Sequence, residues 1–268
     1  MGFIDSPLYK IPLKDFENYY VNYTLDYLGG HYFKRIESYN NTDALKQAIN
    51  EKAFYKEYES KYGNPIEVYE KLNTPSFYKS FMKDKVYDDV VADSDMSLRT
   101  YLRQCCSGFI KNHKLEKGPK EKWLEDFLEI TNDRVVIFVN YNMEIEILVS
   151  LCKNLERPFS IYNGEIKDLT NFKNNSNGIA IVNYASGATG INDLCISNIG
   201  VFFSPSDGDY ILFSQAKARL DRIGQTKQPI FYFLQCQKTI EVPIYNAFKN
   251  GDNFTNELYL NWLEKEKM

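Results

Sequence analysis

Gln215, Arg219 and Arg222 are the residues whose types and spacing most readily do chemistry in this chain. Steps of four and three fall on one face of an α-helix, so the spacing predicts a helix over 209–223 that presents an amide and two guanidiniums together. A guanidinium is a planar, permanently charged fork that matches phosphate oxygens. Two of them can offset the negative charge that spreads over the equatorial oxygens during phosphoryl transfer. The same spacing fits a solvated face paired with Asp207, Asp209 or Asp221, and spacing alone leaves the two readings level.

A second segment, Tyr184-Ala185-Ser186-Gly187-Ala188-Thr189-Gly190-Ile191-Asn192, is built largely of small residues. Its backbone can approach a phosphate closely, and Ser186 and Thr189 carry hydroxyl donors. A glycine-bearing turn after a strand is the plainer reading of such a loop. Between residues 111 and 122 lie Lys111, His113, Lys114, Lys117, Lys120 and Lys122 around the turn Gly118-Pro119. That stretch reads as a solvated linker or, alternatively, as a phosphate-contacting patch.

These groups need a scaffold, and from Arg134 onward the sequence supplies one. Apolar runs at 135–139, 159–162, 179–183, 199–203 and 230–234 alternate with amphipathic segments at 143–155, 166–173, 209–223 and 239–249. The alternation predicts an α/β fold, a parallel sheet with helices on both faces. Ligands of such sheets bind beyond the carboxyl ends of the strands, where Asn140-Tyr141, Tyr162-Asn163-Gly164, Tyr184 to Asn192 and Ser204 to Gly208 fall. Residues 1–132 read as mainly helical, with helices over 13–28, 42–62, 65–72 and 95–110 and another from Pro119. Phe16, Tyr20, Tyr23 and Tyr27 recur at helical steps, a packed stripe in preference to a base-stacking platform. The domain reading is thus 1–132 and 133–268.

Composition narrows the classes further. With 36 acids against 32 Lys and Arg, the net charge of −4 argues against coating nucleic acid by bulk charge, though it says nothing of a local groove. No apolar run approaches the roughly twenty residues that span a bilayer. The first five residues have no signal-peptide pattern, so a place inside the cell is expected. Five scattered cysteines without a C-x-x-C pair, and two histidines, argue against zinc and for reduced buried thiols. Glu144 and Glu146, two residues apart on one helix, face different directions and make a poor acid-base pair.

Gln215 to Lys227, Q-A-K-A-R-L-D-R-I-G-Q-T-K, resembles motif six of the Snf-type group of superfamily-two helicases and translocases, Q-A-x-G-R-x-H-R-I-G-Q-T-K. Other segments follow the expected order. Arg134 to Tyr141 resembles motif four, Ser186 to Asn192 resembles motif five, and Tyr162-Asn163-Gly164 resembles the short element between them. Leu102 to Ser107 is similar to the L-R-Q-x-C-S segment before the second lobe. The likeness is closest to compact helicases of phages and mobile elements, which implies the cytoplasm of a bacterial or phage-infected cell. Ala218 and Asp221 depart from motif six, the latter putting an anion where the pattern has histidine.

The resemblance implies a second RecA-like lobe, preceded by helical insertions, from an ATP-dependent DNA helicase or translocase. Carried over by position, Arg222 is the arginine finger toward ATP, Arg219 contacts phosphates or couples the lobes, and Gln215 holds the arginines. Gly190 and Asn192 would border the nucleotide, Ser186 and Thr189 would grip the DNA backbone, and Asn140 and Tyr141 would lie near the DNA track. ATP and Mg²⁺ belong mainly to a first lobe, in cis or in trans, because neither G-x-x-x-x-G-K-[ST] nor a D-E-x-[HDQ] box occurs in this sequence. The chain is therefore expected to be inactive alone, with duplex DNA and that lobe as partners. A non-catalytic DNA-binding adaptor derived from such a lobe is the alternative; a dinucleotide-binding enzyme fits poorly, since G-x-G-x-x-G is lacking.

Overall fold

The structure, a computed structural model, describes residues 12–28, 31–50, 62–187 and 191–267. The chain forms two compact units, Met1–Glu59 and Ser60–Met268.

In the first unit, α1 (Leu13–Tyr20) leads into an antiparallel hairpin, β1 (Val21–Leu28) with β2 (His31–Tyr39), followed by α2 (Thr42–Asn50). The helix expected over 13–28 therefore stops at Tyr20. Val21-Asn22-Tyr23-Thr24-Leu25-Asp26 alternates with period two and is rich in β-branched and aromatic residues, and Gly29-Gly30 separates it from a second such run. That is a hairpin pattern, which the three- and four-residue recurrence of aromatics obscured. Only Phe16 and Tyr20 of the expected stripe share α1, with ring centroids 4.7 Å apart.

The second unit holds a six-stranded, all-parallel sheet. In chain order its elements are β3 (Ile66–Leu72), α3 (Tyr78–Asp84), the short hairpin β4 (Val86–Tyr87) and β5 (Val90–Val91), and α4 (Asp95–Cys106). Next come the hairpin β6 (Phe109–Ile110) and β7 (His113–Lys114), α5 (Pro119–Ile130), β8 (Val135–Val139) and α6 (Asn142–Asn154). The chain continues with β9 (Phe159–Tyr162), α7 (Thr170–Asn174), β10 (Ile179–Asn183), α8 (Tyr184–Gly187) and β11 (Ile199–Phe202). It ends with α9 (Tyr210–Lys217), β12 (Ile230–Cys236), α10 (Glu241–Lys249) and α11 (Asn256–Lys267). Strand order is β3-β12-β11-β8-β10-β9.

The segment expected as a helix over 65–72 is instead β3, paired in register with β12 from Ile66↔Ile230 to Leu72↔Cys236. Its Glu67, Glu70 and Lys71 suit an edge strand, where charge discourages further pairing. Only the long-range pairing with β12, invisible locally, makes it a strand. The compact unit consequently starts at Ser60, well before residue 133.

Every residue of the central strand β8 is buried. Val136 and Phe138 face one core with Phe202, Phe231, Phe233 and helices α4, α9, α10 and α11. Val135, Ile137 and Val139 face another with Leu124, Leu128, Leu148 and Leu151 from α5 and α6. This two-sided burial is why the strand reads as a continuous apolar run. Trp123 stacks on Phe127 at 5.0 Å and leans on Tyr232, anchoring α5 to the sheet.

Candidate functional site

The carboxyl ends of β8 and β11 are tied together by one buried carboxylate. Glu144, in the first turn of α6, accepts from the backbone N–H of Asn140 at 2.7 Å and of Tyr141 at 3.0 Å. It also accepts from the hydroxyls of Ser204 at 2.9 Å and Ser107 at 2.6 Å. A glutamate three residues past a helix start is the usual partner for those orphan N–H groups, and that spacing was the available clue to a role the acid-base question passed over. Its four hydrogen bonds offset the cost of burying a charge. Asn140 is held further by Asn183, whose amide donates to its carbonyl at 3.1 Å. The Tyr141 ring lies under the Arg103 guanidinium at 5.4 Å and meets Phe109 edge-on at 5.6 Å. Burial pushes the Tyr141 hydroxyl up, against the opposing pull of Arg103.

Arg103 and Arg99, one turn apart on α4, hold the loop after β11. Arg103 pairs with Asp207 and donates to the Pro205 carbonyl at 3.2 Å. Arg99 donates to the Phe254 carbonyl at 2.9 Å and lies over the Phe254 and Tyr259 rings. Between them Gly208 adopts φ +77°, and a Cβ there would come within 2.7 Å of both Arg99 Nη2 and the Phe254 carbonyl oxygen. The Leu102 to Ser107 segment thus positions this loop, a role no local pattern announced. The loop in turn sets Asp209, whose carboxylate caps α9 by accepting from Ile211 and Leu212 N–H at 2.8 and 3.1 Å.

Helix α9 ends at Lys217, six residues short of the expected 223, and the chain continues in tighter turns through Arg219 and Arg222. Gln225 fixes those turns. Its buried amide donates to the Ser197 and Leu220 carbonyls at 2.9 and 3.0 Å and accepts from Thr226 and Lys227 N–H at 2.8 and 3.0 Å. Gly224 supplies the positive φ, +104°, that the turn requires.

The turns bring Arg222 against the segment that follows β10. Its Nη1 donates to Asn192 Oδ1 at 2.8 Å and to the Ile191 carbonyl at 3.5 Å. Burial and the neighbouring Arg222 guanidinium both hold Arg219 below its ordinary value, so two cations crowd one another at this end of the sheet. A polyanion between them would relieve that repulsion. Ser186 is half-buried on α8, while Thr189 and Gly190 lie outside the described residues. Gln215 is exposed, two residues before the end of α9.

Asp221 lines a cavity of about 430 Å³ with Glu67, Lys217 and Phe231, where burial pushes its carboxyl up against the pull of Lys217. A second, polar cleft of about 430 Å³ opens beside Asn192, with Tyr162, Lys167, Thr170, Lys173 and Asp193. The basic stretch 111–122 is mostly committed to internal ion pairs: His113 to Asp89 at 2.7 Å, Lys114 to Glu121 at 3.7 Å, Lys117 to Glu125 and Lys120 to Glu241. Among the described residues no helix is long and apolar enough to cross a membrane.

No family model matches the sequence, and no curated protein matches it either. Solved structures do. The C-terminal part of the Fun30 ATPase domain superposes with a TM-score of 0.59 and 15% identity, over 75% of this chain and 95% of that one. The Sulfolobus solfataricus SWI2/SNF2 ATPase core in complex with dsDNA gives 0.55 and 20%, over 81% of this chain and 51% of that one. The same organism's SWI2/SNF2 ATPase core domain gives 0.53 and 21%, over 78% and 48%. The chain therefore spans about half the length of the two Sulfolobus chains, and the second unit has the RecA-like α/β fold of these ATPase domains.

Proposed function

We propose that this chain supplies the second RecA-like lobe of an ATP-dependent DNA translocase, of the Snf type to which its motifs are similar. The lobe completes a nucleotide site whose phosphate-binding loop belongs to another lobe, in the same or a separate polypeptide. The observation that carries the reading is the convergence of Arg219, Arg222 and Asn192 at the carboxyl ends of the parallel sheet. Asn192 and Arg222, 30 positions apart in sequence, meet there, which supports the reading that the motif resemblance suggests.

In this reading Arg222 leaves Asn192 for the γ-phosphate of ATP, and Arg219 engages the phosphates or the opposite lobe. Gln215 would hold the arginines in place, and Asn192 and Gly190 border the nucleotide. Ser186 and Thr189 hold the backbone of duplex DNA, and Asn140 and Tyr141 flank its path. ATP with Mg²⁺ supplies the phosphoryl group that is transferred to water; this chain's part is to place positive charge where the transition state spreads negative charge. Opening and closing of two lobes would convert that step into movement along DNA.

The test is DNA-stimulated ATP hydrolysis by the chain assembled with its phosphate-loop lobe. Arg222→Ala should lower kcat by about 10³-fold or more while the assembly stays intact by sedimentation. The chain alone should give no turnover. Turnover by the chain alone that Arg222→Ala abolishes, or an assembled enzyme indifferent to Arg222→Ala, would overturn the proposal.

A further inference from the structure

The hairpin of the first unit carries exposed apolar side chains on one of its faces. Cross-strand partners share a face of the sheet, and the register pairs Tyr23 with Ile36 and Leu25 with Lys34, with Tyr32 two residues along from Lys34. Leu25 is 66% exposed, Tyr32 74% and Ile36 46%. On the opposite face Asn22 donates to Ser38 Oγ at 2.8 Å and exchanges hydrogen bonds with Asn40. A two-stranded hairpin is marginal alone in water, and a contiguous apolar patch of this kind marks a docking surface.

The chemistry of the face selects a polypeptide occupant. Among the described residues its single cation, Lys34, lies over the Tyr23 ring at 5.4 Å, and Glu17 sits against the Tyr23 hydroxyl, helping burial to raise it. One lysine beside a carboxylate is a poor grip for a phosphate backbone. Tyrosine, leucine and isoleucine with little charge are the composition of a protein interface centre. The chain also spans only about half of the Sulfolobus ATPase cores it superposes on, and the phosphate-loop lobe that the proposed function calls for is itself a polypeptide.

We propose that the Tyr23, Leu25, Tyr32 and Ile36 face is the docking surface for the phosphate-loop lobe. This rests on the second-lobe reading above. The hairpin serves as the strap by which that lobe is held, separately from the arginine site that meets its nucleotide.

The test places the photoreactive residue p-benzoylphenylalanine at position 25 or 32, and in a control at position 215 on α9, in the full-length gene product of the source cell. Irradiation is followed by sequencing of the adducts. Positions 25 and 32 should both cross-link to a segment of polypeptide that carries G-x-x-x-x-G-K-[ST], and Ile36→Glu should cut the adduct at 25 about tenfold. Capture of that lobe from position 215 alone would overturn the docking surface and leave the second-lobe reading standing. Adducts at 25 and 32 to nucleic acid, to residues 60–268 or to a second copy of this chain would also overturn the docking surface. Failure of all three positions to reach a phosphate-loop polypeptide would overturn both.

Discussion

Lys120 and Glu241 form an ion pair with 1% and 0% of their side chains exposed, joining the first turn of α5 to the first residue of α10. Burial alone would lower the Lys120 ammonium, but the Glu241 carboxylate outweighs it and holds Lys120 above its ordinary value. Glu241 also accepts from the Cys236 N–H at 3.0 Å. In Lys120→Met that N–H is all that remains to balance a buried carboxylate. Breaking such a pair from one side costs about 3–5 kcal/mol. For a unit of this size each kcal/mol moves Tm by about 2–4 °C, so Tm should fall by roughly 6–20 °C. Burial already pushes the Glu241 carboxyl up against the pull of Lys120, and without Lys120 it rises further. As pH climbs past the ordinary carboxylate range, the unfolded chain gives up this proton while the native protein keeps it, so native stability falls with rising pH. Urea unfolding of Lys120→Met should therefore show a larger deficit at pH 8 than at pH 5. Lys120→Met with Glu241→Gln, which removes the charge and keeps an acceptor for Cys236, should recover at least half of the loss. A deficit equal at both pH values and undiminished in the double variant would refute the electrostatic argument and leave only lost packing.

Gly208→Ala must place a Cβ 2.7 Å from Arg99 and the Phe254 carbonyl at a left-handed φ; a loss of about 2 kcal/mol or more by urea unfolding is expected, and a change below about 0.5 would contradict it. Gln225→Ala gives up four hydrogen bonds at about 1 kcal/mol each, and hydrogen exchange at Thr226 and Lys227 should speed up markedly. Of the five thiols Cys105, Cys106, Cys152 and Cys236 are buried and Cys195 is partly exposed, and burial pushes Cys152 up to about 12. Ellman's reagent should thus modify one thiol per native chain within minutes, and Cys195→Ser should abolish that phase.

Much of the second unit was legible because its signals are local. The strands at 135–139, 159–162 and 179–183 coincide with the structure, since a strand buried on both faces must be apolar throughout and a short apolar run can be little else. Edge strand β3 was not legible. Its charges conceal it, and its pairing with β12 links residues more than 160 positions apart. The hairpin β1–β2 failed for another reason: its tyrosines satisfy helical spacing as well as strand alternation, and periodicity cannot choose when one residue type fits both.

The same division runs through the site. The types and order of Gln215, Arg219, Arg222, Ser186 and Asn192 are properties of the sequence, because chemistry and motif spacing reside in side-chain identity. Their grouping is not. Arg222 reaches Asn192 only because α9 stops at Lys217 and Gln225 gathers four backbone groups around the turn. Asp221 lines the cavity beside Lys217 for the same reason, since a residue one position from Arg222 in a tight turn points elsewhere. The buried anchors Arg99 and Arg103 were silent in the sequence, and Glu144 showed there only its place near a helix start. A charge in the chain reads as solvent-facing until tertiary packing supplies the hydrogen bonds that make its burial affordable, and those partners, Ser107, Ser204, Pro205 and Phe254, come from distant elements.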